Sequence, residues 1–187
     1  RVSKRLEEEK LRFYHDHGFR LEDGSLYPDH PKLVKQGMLD VAEVAAQLGE
    51  LGRSFRHDPK RWLGFLVSFV QALEYRIPPG VRPEDGRITT ELLIPAETLS
   101  YGWGDCDSRS VLFAALWKSL NMSPVGVVHE HKHMMAAVGG QYSSCGIWTI
   151  DDKGQQFLIC ELAVQNGYIP PGTNVESGPR NLRFELV

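Results

Sequence analysis

The sequence predicts an α+β fold, helical first and strand-rich afterwards. Three observations lead there. Apolar residues recur at helical spacing through roughly the first 120 positions. Beyond 123 the pattern changes to short runs of β-branched and aromatic residues, separated by Gly-Gly and Asp-Asp-Lys-Gly turns. Strands and helices do not alternate in the way that builds a parallel sheet.

Taken in order, residues 1–17 read as a polar helix with a thin apolar stripe at Val2, Leu6 and Phe13, closed by Gly18. The turn formers of 19–31 read as a loop. Residues 37–51 place Leu39, Val41, Val44, Ala45 and Leu48 on one side of a second helix. Asp58 and Pro59 supply an N-cap and a first-turn proline for a third helix. That helix runs to about Tyr75, is apolar nearly all round, and is therefore expected to be buried. Pro78, Pro79, Gly80, Pro83 and Gly86 mark a long surface loop, followed by an extended piece over 88–94 that ends at Pro95. Residues 106–120 form the clearest helix, closed by Asn121 with Pro124 beyond it. Strands are expected over 124–128, 133–138, 146–150 and 156–162. The reading gives a helical flank over 1–57, continuous with a core over 58–187.

With 187 residues, 42% of them hydrophobic, the chain is long enough to bury a substantial core. The net charge of −3 provides no basic footprint for nucleic acid or for an anionic membrane surface. The longest apolar stretch, over 62–70, is about half of the ~20 residues a membrane-spanning helix needs. Three cysteines are too few, and odd in number, for a disulfide framework. The chain begins at Arg1, so the native N-terminus is expected to lie elsewhere, and localisation in the cytoplasm or the cell envelope stays open. Oligomeric state is likewise open.

The chemistry concentrates in three short segments. Cys106 follows Tyr101-Gly-Trp-Gly-Asp and stands in the first turn of its helix. Unpaired backbone N–H groups and the positive end of the helix dipole favour a thiolate there and can hold an oxyanion. The bland alternative is a small buried hydrophobe, as most free cysteines are. His133 opens an apolar alternation in which Met134, Ala136 and Val138 face one way and Met135 and Ala137 the other. A histidine at the mouth of a strand can reach a helix N-terminus packed on the sheet, the pairing a Cys–His site requires. The group to fix its tautomer is Glu161, set in the apolar run Phe-Leu-Ile-Cys-Glu-Leu-Ala and costly to bury unless paired. Its bland alternative is an edge-strand glutamate facing water.

Phe69-Val-Gln-Ala-Leu-Glu-Tyr75, Pro95-Ala-Glu-Thr-Leu99, and Gly104-Asp-Cys106-Asp-Ser with the following Val111-Leu-Phe-Ala-Ala-Leu carry a resemblance to a known family. Together with His133-Met134-Met135-Ala136 and Ile159-Cys160-Glu161-Leu162, they resemble the transglutaminase-like cysteine proteins of bacteria and archaea, over roughly residues 65–170. The resemblance implies a papain-like fold, with the nucleophile helix packed on a small antiparallel sheet, and a Cys106–His133–Glu161 triad. Lys132 stands where the family carries a small residue before the histidine, and Leu162-Ala163 where it carries a Thr pair after the acid. Relatives place an aromatic or a Gln upstream of the cysteine as oxyanion donor, for which Tyr75, Gln71 and Trp103 are the candidates.

The function expected is thiol-dependent cleavage of an amide bond in a protein or peptide, through a thioester acyl-enzyme, with hydrolysis favoured over transfer to an amine. No metal or organic cofactor is required by that chemistry. Two other readings compete. One is a transglutaminase-like module that binds a protein or peptide without turnover. The other is a zinc site built from His129, His131 and His133, with Cys145 or Cys160 adding a thiolate. His15, His17 and His30 are expected at the surface. Asp105 and Asp107 are expected to cap the helix and to point away from the thiol, whose pKa they would otherwise raise.

Overall fold

The computed structural model describes residues 2–187 apart from 56, 82, 84, 85, 87–90, 147 and 174–181. Helix α1 (Val2–Asp16) matches expectation in extent, but Leu6 and Phe13 on its stripe are exposed. The supposed loop after it is a hairpin of β1 (Phe19–Glu22) and β2 (Ser25–Pro28). Instead of one helix over 37–51 there are two, α2 (His30–Asp40) and α3 (Ala42–Leu51), broken at Val41. The Asp29 side chain accepts a hydrogen bond from Lys32 N at 3.1 Å, and Pro31 sits in the first turn, so the residues read as turn formers are a helix start. Leu39, expected on the apolar side, is exposed, whereas Val41, Ala45 and Leu48 are buried as the spacing predicts.

Helix α4 (Pro59–Gln71) starts at the predicted Asp58 cap but ends four residues early. The chain then runs extended as β3 (Glu74–Tyr75). Part of the expected piece over 88–94 lies outside the described residues, and 91–94 form no strand. A short helix that the sequence reading missed, α5 (Pro95–Tyr101), follows, its Glu97 carboxylate accepting from Ile94 N at 3.2 Å. Gly102, at φ +73°, turns the chain out of α5 in a left-handed conformation that favours glycine. Then β4 (Trp103–Gly104) pairs in parallel with β3.

Helix α6 (Cys106–Ser119) lies at the centre, buried from Ser108 through Trp117 on every side. It packs against α2, α3, α4 and α5 and against the sheet, so the N-terminal helices and the sheet share one apolar cluster. Trp117 is fully buried, and its indole N–H donates to Ser123 O at 2.8 Å.

The sheet is antiparallel throughout, with strand order β7 (Thr149–Asp152), β8 (Gln155–Cys160), β6 (His133–Val138), β5 (Val125–Glu130), β9 (Leu182–Leu186). Its faces alternate as the sequence pattern requires. Met134, Ala136 and Val138 join the cluster around α6, and Met135 and Ala137 join a second one with Trp148, Phe157 and Ile159. Boundaries differ from expectation: β5 runs on to Glu130, β7 spans Thr149–Asp152 rather than 146–150, and β8 ends at Cys160, which leaves Glu161 just beyond the strand. β9 was not foreseen.

Candidate active site

Cys106 occupies the first position of α6, whose N-cap is Asp105. One oxygen of that cap accepts from Ser108 N at 3.0 Å and from Ser108 Oγ at 2.6 Å. Ser108 Oγ in turn accepts from Leu93 N at 3.0 Å, so the helix start also anchors the preceding segment. The expected capping role therefore fits Asp105. Burial raises the pKa of its carboxyl, the more so with Asp107 nearby, against the lowering effect of the Ser108 hydrogen bonds.

Asp107 departs from expectation. Rather than pointing away, its carboxylate lies 3.2 Å from Cys106 Sγ and accepts the thiol hydrogen. The thiol itself is buried. Burial first, and then the Asp107 charge, push Cys106 up to about 12, while the backbone N–H of Met134 facing the sulfur acts in the opposite sense.

That Met134 contact matters for position. Ser110 Oγ donates to Met134 O at 3.3 Å, so both backbone groups of Met134 are engaged by the first turns of α6. The residue before Met134 is His133, at the mouth of β6 and still partly exposed. His133 Nε2 is 2.8 Å from Glu161 Oε2. Glu161 is 6% exposed, which removes the alternative of an edge glutamate in water. Its other oxygen accepts from Ala163 N at 2.7 Å. Burial raises the Glu161 pKa, but the hydrogen bond and charge of His133 and the N–H groups of Ala163 and Leu162 outweigh it and hold the carboxyl below its ordinary range.

The three oxyanion candidates occupy different surroundings. Tyr75 stands in the same electrostatic neighbourhood as Cys106. Burial first, then the negative potentials of Cys106 and Asp105, raise its pKa and keep the phenol a hydrogen-bond donor, with the Arg109 guanidinium 5.3 Å from its ring. Trp103 stacks on Tyr101 at 5.7 Å and lies under the Arg76 guanidinium at 4.8 Å. Gln71 is committed to the backbone. Its amide nitrogen donates to Glu161 O at 2.7 Å and Ile169 O at 3.0 Å, and its oxygen accepts from Ile169 N at 3.1 Å. Both of its N–H groups are thereby engaged in holding the backbone of the acid.

Sequence reasoning missed Arg109. It is fully buried, and it donates through Nη1 to Leu162 O at 2.9 Å and Val164 O at 3.0 Å, and through Nη2 to Leu73 O. It thus ties the segment after Glu161 to α6 and to the start of β3. The available signal was an arginine three residues after Cys106, just ahead of the apolar run over 111–117.

The histidine-strand zinc set is not assembled. His131 occupies the turn between β5 and β6 at φ +48°, His129 bonds Glu185, and His133 bonds Glu161. The cause is the β5–β6 hairpin, which puts His129 and His133 on different strands. Cys160 is buried in the core, and burial raises its pKa strongly. His30, expected at the surface, is also buried, while His15 and His17 are exposed as expected.

No protein-family model matches the chain, and neither does any curated protein. Among solved structures, Legionella pneumophila LapG is similar in two forms. The calcium-bound form matches at 14% identity and a TM-score of 0.37, over 65% of this chain and 74% of that one. The EGTA-treated form matches at 14% identity and 0.37, over 68% of this chain and 78% of the other.

Proposed function

We propose that the chain is a thiol-dependent amide-bond hydrolase, a peptidase or amidase of papain-like, transglutaminase-like fold, with Cys106, His133 and Glu161 as its working residues. The observation that carries this reading is a convergence. A helix N-terminal thiol lies against the backbone N–H of Met134, and the adjacent His133 is held through Nε2 by a buried carboxylate. With Nε2 bound to Glu161, Nδ1 is the ring nitrogen that serves the thiol.

In this mechanism the Cys106 proton passes to His133 Nδ1 as Sγ bonds to the carbonyl carbon of a peptide substrate. The carbonyl electron pair moves onto oxygen, which receives hydrogen bonds from the Cys106 backbone N–H and the Tyr75 hydroxyl. Collapse of the tetrahedral species breaks the C–N bond, and imidazolium returns the proton to the departing amine. Water activated by His133 then cleaves the thioester. Glu161 stabilises the imidazolium formed in each half-reaction. Burial and Asp107 hold the Cys106 thiol in its protonated form, so its proton leaves as the sulfur attacks.

The same raised thiol pKa favours the second reading, a transglutaminase-like module that binds a protein or peptide without turnover. A pH series of iodoacetamide labelling with site mapping, on wild type and His133→Ala, separates the two. Catalysis by general-base assistance requires Cys106 labelling near neutral pH to depend on His133, falling in His133→Ala while the labelling of Cys145 stays unchanged. Labelling of Cys106 that climbs only in strong alkali, unchanged by His133→Ala, supports the binding module instead.

A further inference from the structure

On the β5–β9 side of the sheet, three residues remote in sequence meet. His30 from the first turn of α2, His129 from β5 and Glu185 from β9 offer ligand atoms that all lie within 4.8 Å of one another. His30 Nδ1 is 3.0 Å and His129 Nε2 3.4 Å from the same oxygen, Glu185 Oε2. The imidazole rings are 5.0 Å apart between centroids. His30 is 5% exposed, so the cluster is not a chance grouping of surface side chains.

We propose that His30, His129 and Glu185 form a binding site for a zinc-type divalent cation. In a tetrahedral zinc site with bonds of about 2.0–2.2 Å, neighbouring donor atoms lie about 3.3–3.5 Å apart. Two edges of the required triangle are therefore already close to their final length. Two imidazole nitrogens and one carboxylate oxygen suit a borderline cation over calcium or magnesium, which take oxygen donors. Three protein donors leave a fourth position for water. Arg20 reaches the opposite oxygen, Glu185 Oε1, at 3.5 Å, and so leaves Oε2 to the cation. Without metal, the imidazoles turn N–H groups toward Oε2. On binding, each ring proton moves to the other ring nitrogen, and the freed lone pairs and Oε2 turn to the ion. The ion would cross-link α2, β5 and β9, joining the N-terminal helices to the last strand.

The site does not depend on the catalytic reading, and its test keeps the two apart. Tag-free, chelator-treated protein is titrated with zinc against a chromophoric chelator, and cobalt(II) spectra are recorded in parallel. The expected result is one zinc at micromolar or lower dissociation constant, retained in Cys106→Ser and His133→Asn. His129→Asn and Glu185→Gln should weaken it by at least about 100-fold, the upper range for loss of even an outer-shell partner. Zinc at about 100 times that constant should raise Tm by roughly 5–10 °C. The cobalt spectrum should lack a thiolate charge-transfer band. Absence of micromolar binding, a thiolate band, or affinity unchanged by Glu185→Gln overturns the proposal. Glu185→Gln preserves the shape of the side chain, so it decides the matter even should His129→Asn fail to fold.

Discussion

His133 Nε2 and Glu161 Oε2 are 2.8 Å apart, although 28 residues separate them in sequence. Sheet register brings them together. Ala136 pairs with Cys160 in the antiparallel β6–β8 ladder, so the chain leaving β8 at Glu161 runs back toward the mouth of β6 where His133 stands. Leu162, Val164 and Ile169 beyond it are fastened by Arg109 and Gln71. A partly exposed imidazole is thus oriented by a carboxylate whose backbone is itself clamped.

Glu161→Gln keeps the shape of the acid and removes its charge. Turnover should fall by about 10²–10⁴-fold, as for neutralised triad acids elsewhere. Stability supplies a second readout. The folded pKa of Glu161 is depressed, so its stabilising contribution is complete above the ordinary glutamate range and disappears as pH falls through the folded value. Urea midpoints of wild type and Glu161→Gln should therefore differ most near pH ~7 and converge below pH ~4. A gap that persists in acid would mean the pair is not stabilised by charge.

Asp107→Asn tests why the thiol is such a weak acid. The carboxylate 3.2 Å from Sγ opposes ionisation, second only to burial. Removing its charge lowers the thiol pKa and raises the thiolate fraction. A more acidic thiol is also a weaker nucleophile, so the net gain in Cys106 alkylation at neutral pH should be about three- to tenfold. Slower labelling would mean that Asp107 acts on the thiol mainly by positioning it.

Arg109→Lys should destabilise the protein by about 3–5 kcal/mol, because an ammonium cannot serve three carbonyls in a fork and is left as a poorly paired buried charge. The guanidinium pKa is already lowered by burial, which shows the cost of holding the charge there. Thermal unfolding measures the loss. Unchanged Tm would mean that the hydrogen bonds to Leu73, Leu162 and Val164 do not hold the fold.

What could be read from the sequence had its signal within a few residues. Asp105-Cys106, the alternation after His133, and a glutamate inside an apolar run each state their chemistry locally, and the helix at 106–120 was correct almost to its ends. Long-range partners carried no such mark. Gln71 serves Glu161 across 90 residues, and nothing near Arg109 in the sequence marks the carbonyls of Leu162 and Val164 that it serves. Asp29-His30-Pro31 was ambiguous because the same residue types build turns and start helices. β9 was missed because half of it faces solvent and only its partner β5 gives it a place.

That dependence of β9 on β5 rests on Gly126. A Cβ there would lie 2.4 Å from the Phe184 ring and 2.7 Å from Glu185 O. The ring alone could swing aside, though it is packed on Phe157 at 4.5 Å between centroids. The carbonyl cannot move unless β9 shifts, because Glu185 is paired with Val127 in the ladder. Gly126→Ala should therefore cost about 1–3 kcal/mol through overpacking. It should also expose the edge of β5, so hydrogen exchange at Val127 and His129 should speed up while the amides of β6 and β8 stay protected. Uniform loss of protection across the sheet would instead place β9 in the same cooperative unit as the strands around His133.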